Sequence, residues 1–312
     1  MRYAVESWAP EYGSALDDRA LEAAQVPVDT DVEVPAAAWA PIAPAAGRPA
    51  RRVVFVDGVR RIDARVWATT PDGVSRAGIA ASYAAGVVSC DGTAQLDVAE
   101  VRRAVFSPVP DAQPLATGCG TYTAVLADGE GVEQLVAELQ QQMRALERTV
   151  AASVGAADLV VVDGPLSRPA VRGAVGYVKT HQRSYLPTEL AAVVARLAPA
   201  QRTPLFRTLT REPRYAWYAR LPGADGHPWA GVVRGETPGD LAPSAAQTLA
   251  DVATVTWPRF ASVSHKDPRA PQNLHPIAEL ERALRRRLGD PGFLYRALRV
   301  AAARATPPAS SG

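Results

Sequence analysis

The chain has 312 residues, 47% hydrophobic and 21% charged, which is the composition of a folded globular protein and excludes a disordered or collagen-like chain. Its 34 basic and 32 acidic residues leave a net charge of +2, which by itself indicates neither a nucleic-acid partner nor the lack of one. The N-terminus has no signal-peptide pattern and no apolar run approaches the ~20 residues that span a bilayer, so we expect a cytoplasmic protein.

The N-terminal segment differs in composition from the rest of the chain. It is rich in alanine and proline, which predicts an extended or wrapping arm over residues 1–50, with a short helix over residues 14–25. Residues 51–304 have the apolar runs and turn signals of a folded domain. Residues 305–312 have the composition of a disordered tail.

A run of apolar, mostly β-branched residues opens the folded part. The run Val-Val-Phe-Val precedes Asp57 and Gly58, a pattern that predicts a buried strand ending in a turn. A second strand is predicted over residues 62–69, and further strands over residues 78–90 and 121–126. Turns at residues 57–58 and 72–73 join the first three of these strands, so this opening resembles an antiparallel meander.

The clearest helix prediction covers residues 131–153. Apolar side chains recur there at three- and four-residue spacing, from Leu135 to Val150, and form one apolar stripe. Gly155 ends this helix, and the run Leu-Val-Val-Val over residues 159–162 follows at once. Strand, helix and strand in this order predict that the later strand lies parallel to the first and beside it.

The C-terminal half predicts further strands and several helices. A strand over residues 174–179 precedes a helix after Pro187, and a hairpin is predicted within residues 215–234. The remaining helices are predicted over residues 243–256, 276–288 and 291–304. The sequence therefore predicts an α/β fold in which a mixed sheet, part meander and part parallel, is flanked by helices.

Both β-branched runs continue into an aspartate and a glycine, at Asp57 and at Asp163. Two carboxylates at strand ends need a compensating cation when buried, and a divalent metal supplies it. The alternative is that both are turn residues, because Asp-Gly is a common turn dipeptide. Glu147, at the margin of the helical stripe, is the candidate for a third carboxylate; its alternative is a surface residue with a solvated head group. Three such carboxylates are typical of a metal-dependent nuclease.

The order of these motifs resembles that of the NurA nucleases of the ribonuclease H-like superfamily. The chain has Phe-Val-Asp57-Gly, then Leu-Glu147, then Val-Asp163-Gly-Pro-Leu, and then a strand that ends in Lys179. A proline-rich segment that contains His275 follows near the C-terminus. The resemblance implies a ribonuclease H-like mixed sheet flanked by helices, with C-terminal helices specific to the family.

The resemblance also implies an activity. Asp57, Glu147 and Asp163 would bind one or two Mn²⁺ or Mg²⁺ ions, and His275 would join them in hydrolysing the DNA phosphodiester, as a 5′–3′ exonuclease or a single-strand endonuclease. The partners implied are DNA, a second copy of the chain in a homodimer, and a HerA-like hexameric ATPase translocase. The process implied is DNA end resection in double-strand break repair by homologous recombination.

Three basic residues are candidates for binding the DNA phosphates. Lys179 ends a predicted strand beside the expected site, and Lys266 and Arg269 lie in a polar loop before the last helices. A solvated side chain is the alternative for each. The chain has no P-loop, so we do not expect it to hydrolyse ATP itself. Two other functions stay open: an inactive, DNA-binding subunit on the same scaffold, and a nuclease for RNA or RNA–DNA hybrids.

Overall fold

The computed structural model describes residues 27–44, 48–70, 72–166, 171, 173–181, 185–224 and 229–305, which form a mixed α/β fold. The helix predicted over residues 14–25 and the tail from residue 306 onward lie outside these residues. The chain forms two compact units. Of the described residues, the first unit comprises those up to 56, 88–95 and 154–279, and the second comprises those in 57–87, 96–153 and 280–305. The domain boundaries predicted at residues 50 and 304 stay predictions.

The described strands are, in chain order, β1 (Val28–Asp29), β2 (Val53–Thr69), β3 (Ser75–Asp91), β4 (Thr93–Ser107), β5 (Leu115–Thr117), β6 (Gly120–Leu126), β7 (Leu159–Asp163), β8 (Ala174–Val178), β9 (Phe206–Thr208), β10 (Arg214–Arg220) and β11 (Val232–Pro238). The described helices are α1 (Val132–Ala152), α2 (Thr188–Ala195), α3 (Pro243–Thr256), α4 (His275–Arg287) and α5 (Pro291–Ala305). Among these helices, none combines the length and apolarity needed to cross a bilayer.

The sheet of the first unit confirms the parallel strand that the sequence predicts. Its strand order is β1-β9-β10-β11-β8-β7, followed by the beginning of β2. β7 lies parallel to β2, with residues 159–162 in register with residues 53–56, and it also lies parallel to β8. The last registered pair of the first ladder is Val56 with Val162, and the next residue of each strand is an aspartate. The predicted hairpin is present as the antiparallel pair β10 and β11.

The second unit contains the meander and the long helix. Its strand order is β2-β3-β4-β6-β5. The strand predicted over residues 121–126 is β6, which runs parallel to β4 and so does not continue the antiparallel meander; β4 itself was not predicted. The α1 helix matches the predicted helix within one residue at either end, and its apolar stripe is buried as predicted. The buried apolar residues of that stripe are Leu135, Leu139, Met143, Leu146, Val150 and Ala151.

The turn predicted at Asp57 and Gly58 is wrong. β2 continues without interruption from Val53 to Thr69, so Asp57 lies inside a strand and only Asp163 ends one. Glycine inside a strand marks a place where another group approaches the backbone closely. At Gly58 that group is the side chain of Glu147, as the site geometry below shows.

The described part of the N-terminal arm packs into the first unit. Trp39 lies in an apolar cluster with Phe206 and Tyr218. Glu33 accepts two hydrogen bonds from the fully buried guanidinium of Arg202, at 2.7 and 2.8 Å. Burying a guanidinium is costly unless it is paired, so this contact ties the arm to the unit.

Candidate active site

The turn that follows β7 fixes the backbone around Asp163. Gly164 has a φ of +84°, which side-chain-bearing residues rarely adopt, and its N–H donates to the carbonyl of Tyr177 at 2.8 Å. Gly176 on β8 faces the same turn. A Cβ built at Gly176 would lie 2.7 Å from the backbone nitrogen of Leu166, so this close approach requires glycine.

A buried carboxylate holds the other end of this turn. The N–H of Leu166 donates to Oε2 of Glu236 at 3.2 Å. Glu236 is itself buried and pairs with Arg234 at 2.8 Å and with Arg214 at 3.0 Å. The two guanidinium groups compensate the buried charge, so Glu236 can support the segment that follows Asp163. Sequence analysis did not identify this residue.

The carboxylate of Asp163 has two oxygens in different surroundings. Oδ2 lies 2.9 Å from the Nζ atom of Lys179, and the two side chains are 18% and 12% exposed. Oδ1 is buried and has no hydrogen-bond partner among the described residues. Burial, together with the nearby negative charge of Asp163, raises the pKa of Tyr177 well above its usual range. The structure thus brings together two of the residues predicted from sequence, Asp163 and Lys179.

A chain of hydrogen bonds leads from Lys179 to the polar loop that the sequence singled out. Lys179 donates to Oδ1 of Asn273 at 3.0 Å, and Nδ2 of Asn273 donates to Oδ2 of Asp267 at 2.6 Å. The other carboxylate oxygen of Asp267 accepts the N–H of Arg269 at 2.8 Å, and the Arg269 guanidinium lies 3.7 Å from it. Arg269 is therefore connected to Asp163 through other side chains, and Asn273 is a link that sequence analysis missed.

In the second unit, the carboxylate of Glu147 lies against the backbone next to Asp57. Glu147 is buried on α1, and a Cβ built at Gly58 would lie 2.5 Å from its Oε1 atom. The N–H of Gly58 donates to Oδ1 of Asp57 at 2.7 Å. Because Glu147 is only 8% exposed, it is not the solvated surface residue that the sequence left as an alternative.

Two predicted site residues have no described contact with these groups. His275 is the first residue of α4 and is half-buried, and Lys266 is exposed on its loop. Within the described part of the chain, neither side chain forms a hydrogen bond or an ion pair. The roles proposed for both residues stay predictions.

His181, two residues after Lys179, lies in surroundings that indicate a structural role. Its ring packs against those of Tyr218 and Trp229, which also contact each other, and Nε2 lies 2.9 Å from the carbonyl of Val232. A carbonyl only accepts, so Nε2 carries the proton. Burial, opposed in part by this hydrogen bond, lowers the pKa of His181 to about 4, and the ring is neutral at pH 7.

The fit of a divalent cation rests on Asp163. Its Oδ1 is a buried carboxylate oxygen without a hydrogen-bond partner among the described residues, which is the kind of donor that Mg²⁺ and Mn²⁺ take. No group of three or more His, Cys, Asp or Glu side chains in the described ranges is arranged to hold a metal ion. The ligand set of Asp57, Glu147 and Asp163 therefore stays a prediction.

Comparison with protein-family models identifies the NurA domain over residues 73–286, which is more than half of the chain. The chain belongs to the NurA family. NurA is a nuclease family, so the motif resemblance seen in the sequence is confirmed at the level of the family. The matched range contains Glu147, Asp163 and Lys179, whereas Asp57 precedes it. Comparison with curated proteins gave no match.

Proposed function

We propose that the protein is a metal-dependent DNA nuclease on a ribonuclease H-like scaffold, and that Asp57, Glu147 and Asp163 hold one or two Mn²⁺ or Mg²⁺ ions. The observation that carries this proposal is the state of Asp163. In a chain of a nuclease family, it ends a parallel strand with one oxygen on Lys179 and the other buried without a partner. A carboxylate oxygen left in that state is destabilised unless a cation binds it.

In this proposal, each of the residues around the site has a different role. A bound divalent ion supplies Lewis-acid activation of water and of the scissile phosphate. Lys179 balances the charge of Asp163, and it has a further N–H with which to donate to a phosphate oxygen of the DNA. Gly58 gives the carboxylate of Glu147 its place against the backbone, and Glu236 holds the turn that follows Asp163.

The biological setting proposed is the one that the NurA resemblance implies. The protein would act as a cytoplasmic homodimer with a HerA-like hexameric ATPase translocase, in DNA end resection for double-strand break repair. Sedimentation of the purified chain tests the homodimer. Addition of such a translocase with ATP to the nuclease reaction tests the partnership, because a functional partner is expected to raise the rate or the extent of DNA degradation.

The central experiment is cleavage of labelled linear single- and double-stranded DNA with Mn²⁺, Mg²⁺ or EDTA. Wild type is expected to degrade DNA only with metal, and Asp57→Asn, Glu147→Gln and Asp163→Asn are each expected to abolish this activity. Asp111→Asn, at an exposed aspartate, is the matched control and is expected to leave the rate unchanged.

Two outcomes of that experiment contradict the proposal. Folded wild type that binds DNA but does not cleave it with any metal, alone or with the translocase, would be an inactive subunit. Cleavage of RNA or of an RNA–DNA hybrid in parallel reactions, without cleavage of DNA, would assign the same scaffold to a different substrate.

A further inference from the structure

The chain has only two lysines, Lys179 and Lys266, among its 34 basic residues; all the others are arginine. Lysine presents a compact point charge with three N–H donors, whereas arginine presents a planar fork that needs matched acceptors. Lys179 is one of these two exceptions, and its side chain, 12% exposed, lies on the carboxylate of Asp163, where a compact ammonium fits.

Asn273 is the second residue, besides Asp163, that contacts the ammonium of Lys179. Its Oδ1 accepts from Nζ at 3.0 Å and its Nδ2 donates to Asp267 at 2.6 Å. Asn273 is 0% exposed, so no water competes for either contact from outside. Asp267 is in turn held by the backbone N–H of Arg269.

The polarity of this chain of contacts requires a group that both accepts and donates, as the amide of Asn273 does. The ammonium of Lys179 can only donate and the carboxylate of Asp267 can only accept, so the residue between them must accept on one side and donate on the other. An aspartate at position 273 would place two carboxylates together, and a leucine would remove the contact with each neighbour. The same argument fixes which end of the Asn273 amide faces Lys179.

The backbone around Asn273 is held independently of its side chain. The hydroxyl of Tyr177, on β8, donates to the carbonyl of Gln272 at 2.7 Å. The N–H of Asn273 donates to the carbonyl of Arg269 at 3.0 Å. A substitution at Asn273 therefore removes the amide contacts while the segment keeps its anchors.

We propose that Asn273, oriented by Asp267, is a positioning residue for Lys179. It holds the ammonium on Oδ2 of Asp163, which leaves Oδ1 of that carboxylate for the cation and one N–H of Lys179 for a phosphate oxygen. This inference rests on the proposed function for its consequence in catalysis. Its structural part, the dependence of Lys179 on Asn273, stands without it.

A double-mutant cycle tests the catalytic part. Asn273→Leu is expected to lower the single-turnover rate of DNA cleavage by roughly tenfold to a hundredfold, the range found when groups that orient site residues are removed. In a Lys179→Met background the same change is expected to add nothing, because Asn273 acts only through Lys179. If the losses of rate caused by the two substitutions multiply in the double variant, Asn273 has a general structural role and the proposal is overturned.

Exchanging the asparagine and the aspartate between positions 273 and 267 is a control for loss of folding. Asn273→Asp alone is expected to be as slow as Asn273→Leu, whereas Asn273→Asp combined with Asp267→Asn restores an acceptor towards Lys179 and a donor between the two residues. The combined variant is expected to recover most of the rate. A combined variant that stays as slow as Asn273→Asp, although it melts at the wild-type temperature, would contradict the proposal.

The two lysines allow a readout that needs no activity. In protein labelled with ¹⁵N-lysine, Lys179 is expected to give an ammonium signal protected from solvent exchange, identified by its loss in Lys179→Arg, and exposed Lys266 is the internal control. Loss of protection in Asn273→Leu, with Lys266 unchanged, supports the positioning role even if no cleavage is found, and only the proposed function then fails. Unchanged protection in that variant, in an enzyme that cleaves DNA, overturns the positioning role alone.

Discussion

Substitution of Gly58 by alanine is expected to displace the carboxylate of Glu147 while leaving the stability of the fold nearly unchanged. A Cβ at position 58 would lie 2.5 Å from Oε1 of Glu147 and 3.1 Å from its Cδ and Cγ atoms, whereas ordinary contact begins at 3.4 Å. The carboxylate must therefore retreat by about 0.9 Å. The atoms it meets are the far end of a flexible side chain, so the retreat disturbs the backbone little.

The expected effect is large on the reaction and small on folding. Misplacement of a catalytic group by about 1 Å costs roughly 100-fold in rate, which corresponds to about 3 kcal/mol in the activation free energy. The alanine methyl itself reduces the freedom of the unfolded backbone, a gain of about 0.4–1 kcal/mol that offsets part of the local strain. We expect the thermal midpoint of Gly58→Ala to stay within about 3 °C of the wild-type value.

The assay is single-turnover cleavage of labelled linear DNA with Mn²⁺, beside a thermal melt followed by circular dichroism. Gly118→Ala is the matched control, because a Cβ at Gly118 meets nothing within 4 Å and its φ is not in the left-handed region. A folded Gly58→Ala that cleaves at the wild-type rate would refute the role given to Glu147. Equal loss of activity in Gly118→Ala would show that the assay reports something other than this contact.

Three further predictions follow from buried contacts of the first unit. Gly176→Ala forces its Cβ to 2.7 Å from the backbone of Leu166, so we expect urea unfolding to show a loss of about 1–3 kcal/mol together with lost cleavage; unchanged values for both would contradict the packing. The pKa of about 4 for His181 lies below the ~6.5 of an unfolded histidine, so the unfolded chain takes up the proton first. The contribution of His181 to the free energy of unfolding is therefore fully present above pH 6.5. It is expected to fall by about 3 kcal/mol as the pH drops to 4, and this fall should be absent from His181→Gln. Arg202→Leu leaves the buried carboxylate of Glu33 unpaired and is expected to cost about 3–5 kcal/mol in urea unfolding, while a loss below 1 kcal/mol would show that the pair contributes little.

Local sequence patterns predicted the elements whose signals are local. The β-branched run of β7 and the apolar stripe of α1 each fix one element within a few residues, and the order of strand, helix and strand sufficed to predict the parallel pair. Family membership followed from the spacing of short motifs. These features are encoded by neighbours in sequence, so periodicity and turn chemistry are adequate guides to them.

Features that depend on distant parts of the chain were missed. The Asp57-Gly58 dipeptide has the local signature of a turn, and only the approach of Glu147 from α1 explains why glycine sits inside a strand there. Asn273 lies 94 residues from Lys179, and Glu236 lies 70 residues from Leu166, so no pattern along the chain joins either pair. The scarcity of lysine was a signal available in the sequence, and it singles out Lys179 and Lys266.

The measurement that tests the central claim most directly is calorimetric titration of Mn²⁺ into the full chain without DNA. Wild type and the Asp111→Asn control are expected to bind one or two ions with the same affinity, while Asp57→Asn, Glu147→Gln and Asp163→Asn each weaken binding by at least roughly tenfold. This result would establish the three carboxylates as the metal site of the nuclease. Wild-type affinity in the Asp163→Asn variant would contradict the account, because the oxygen that fits the cation would then have no part in holding it.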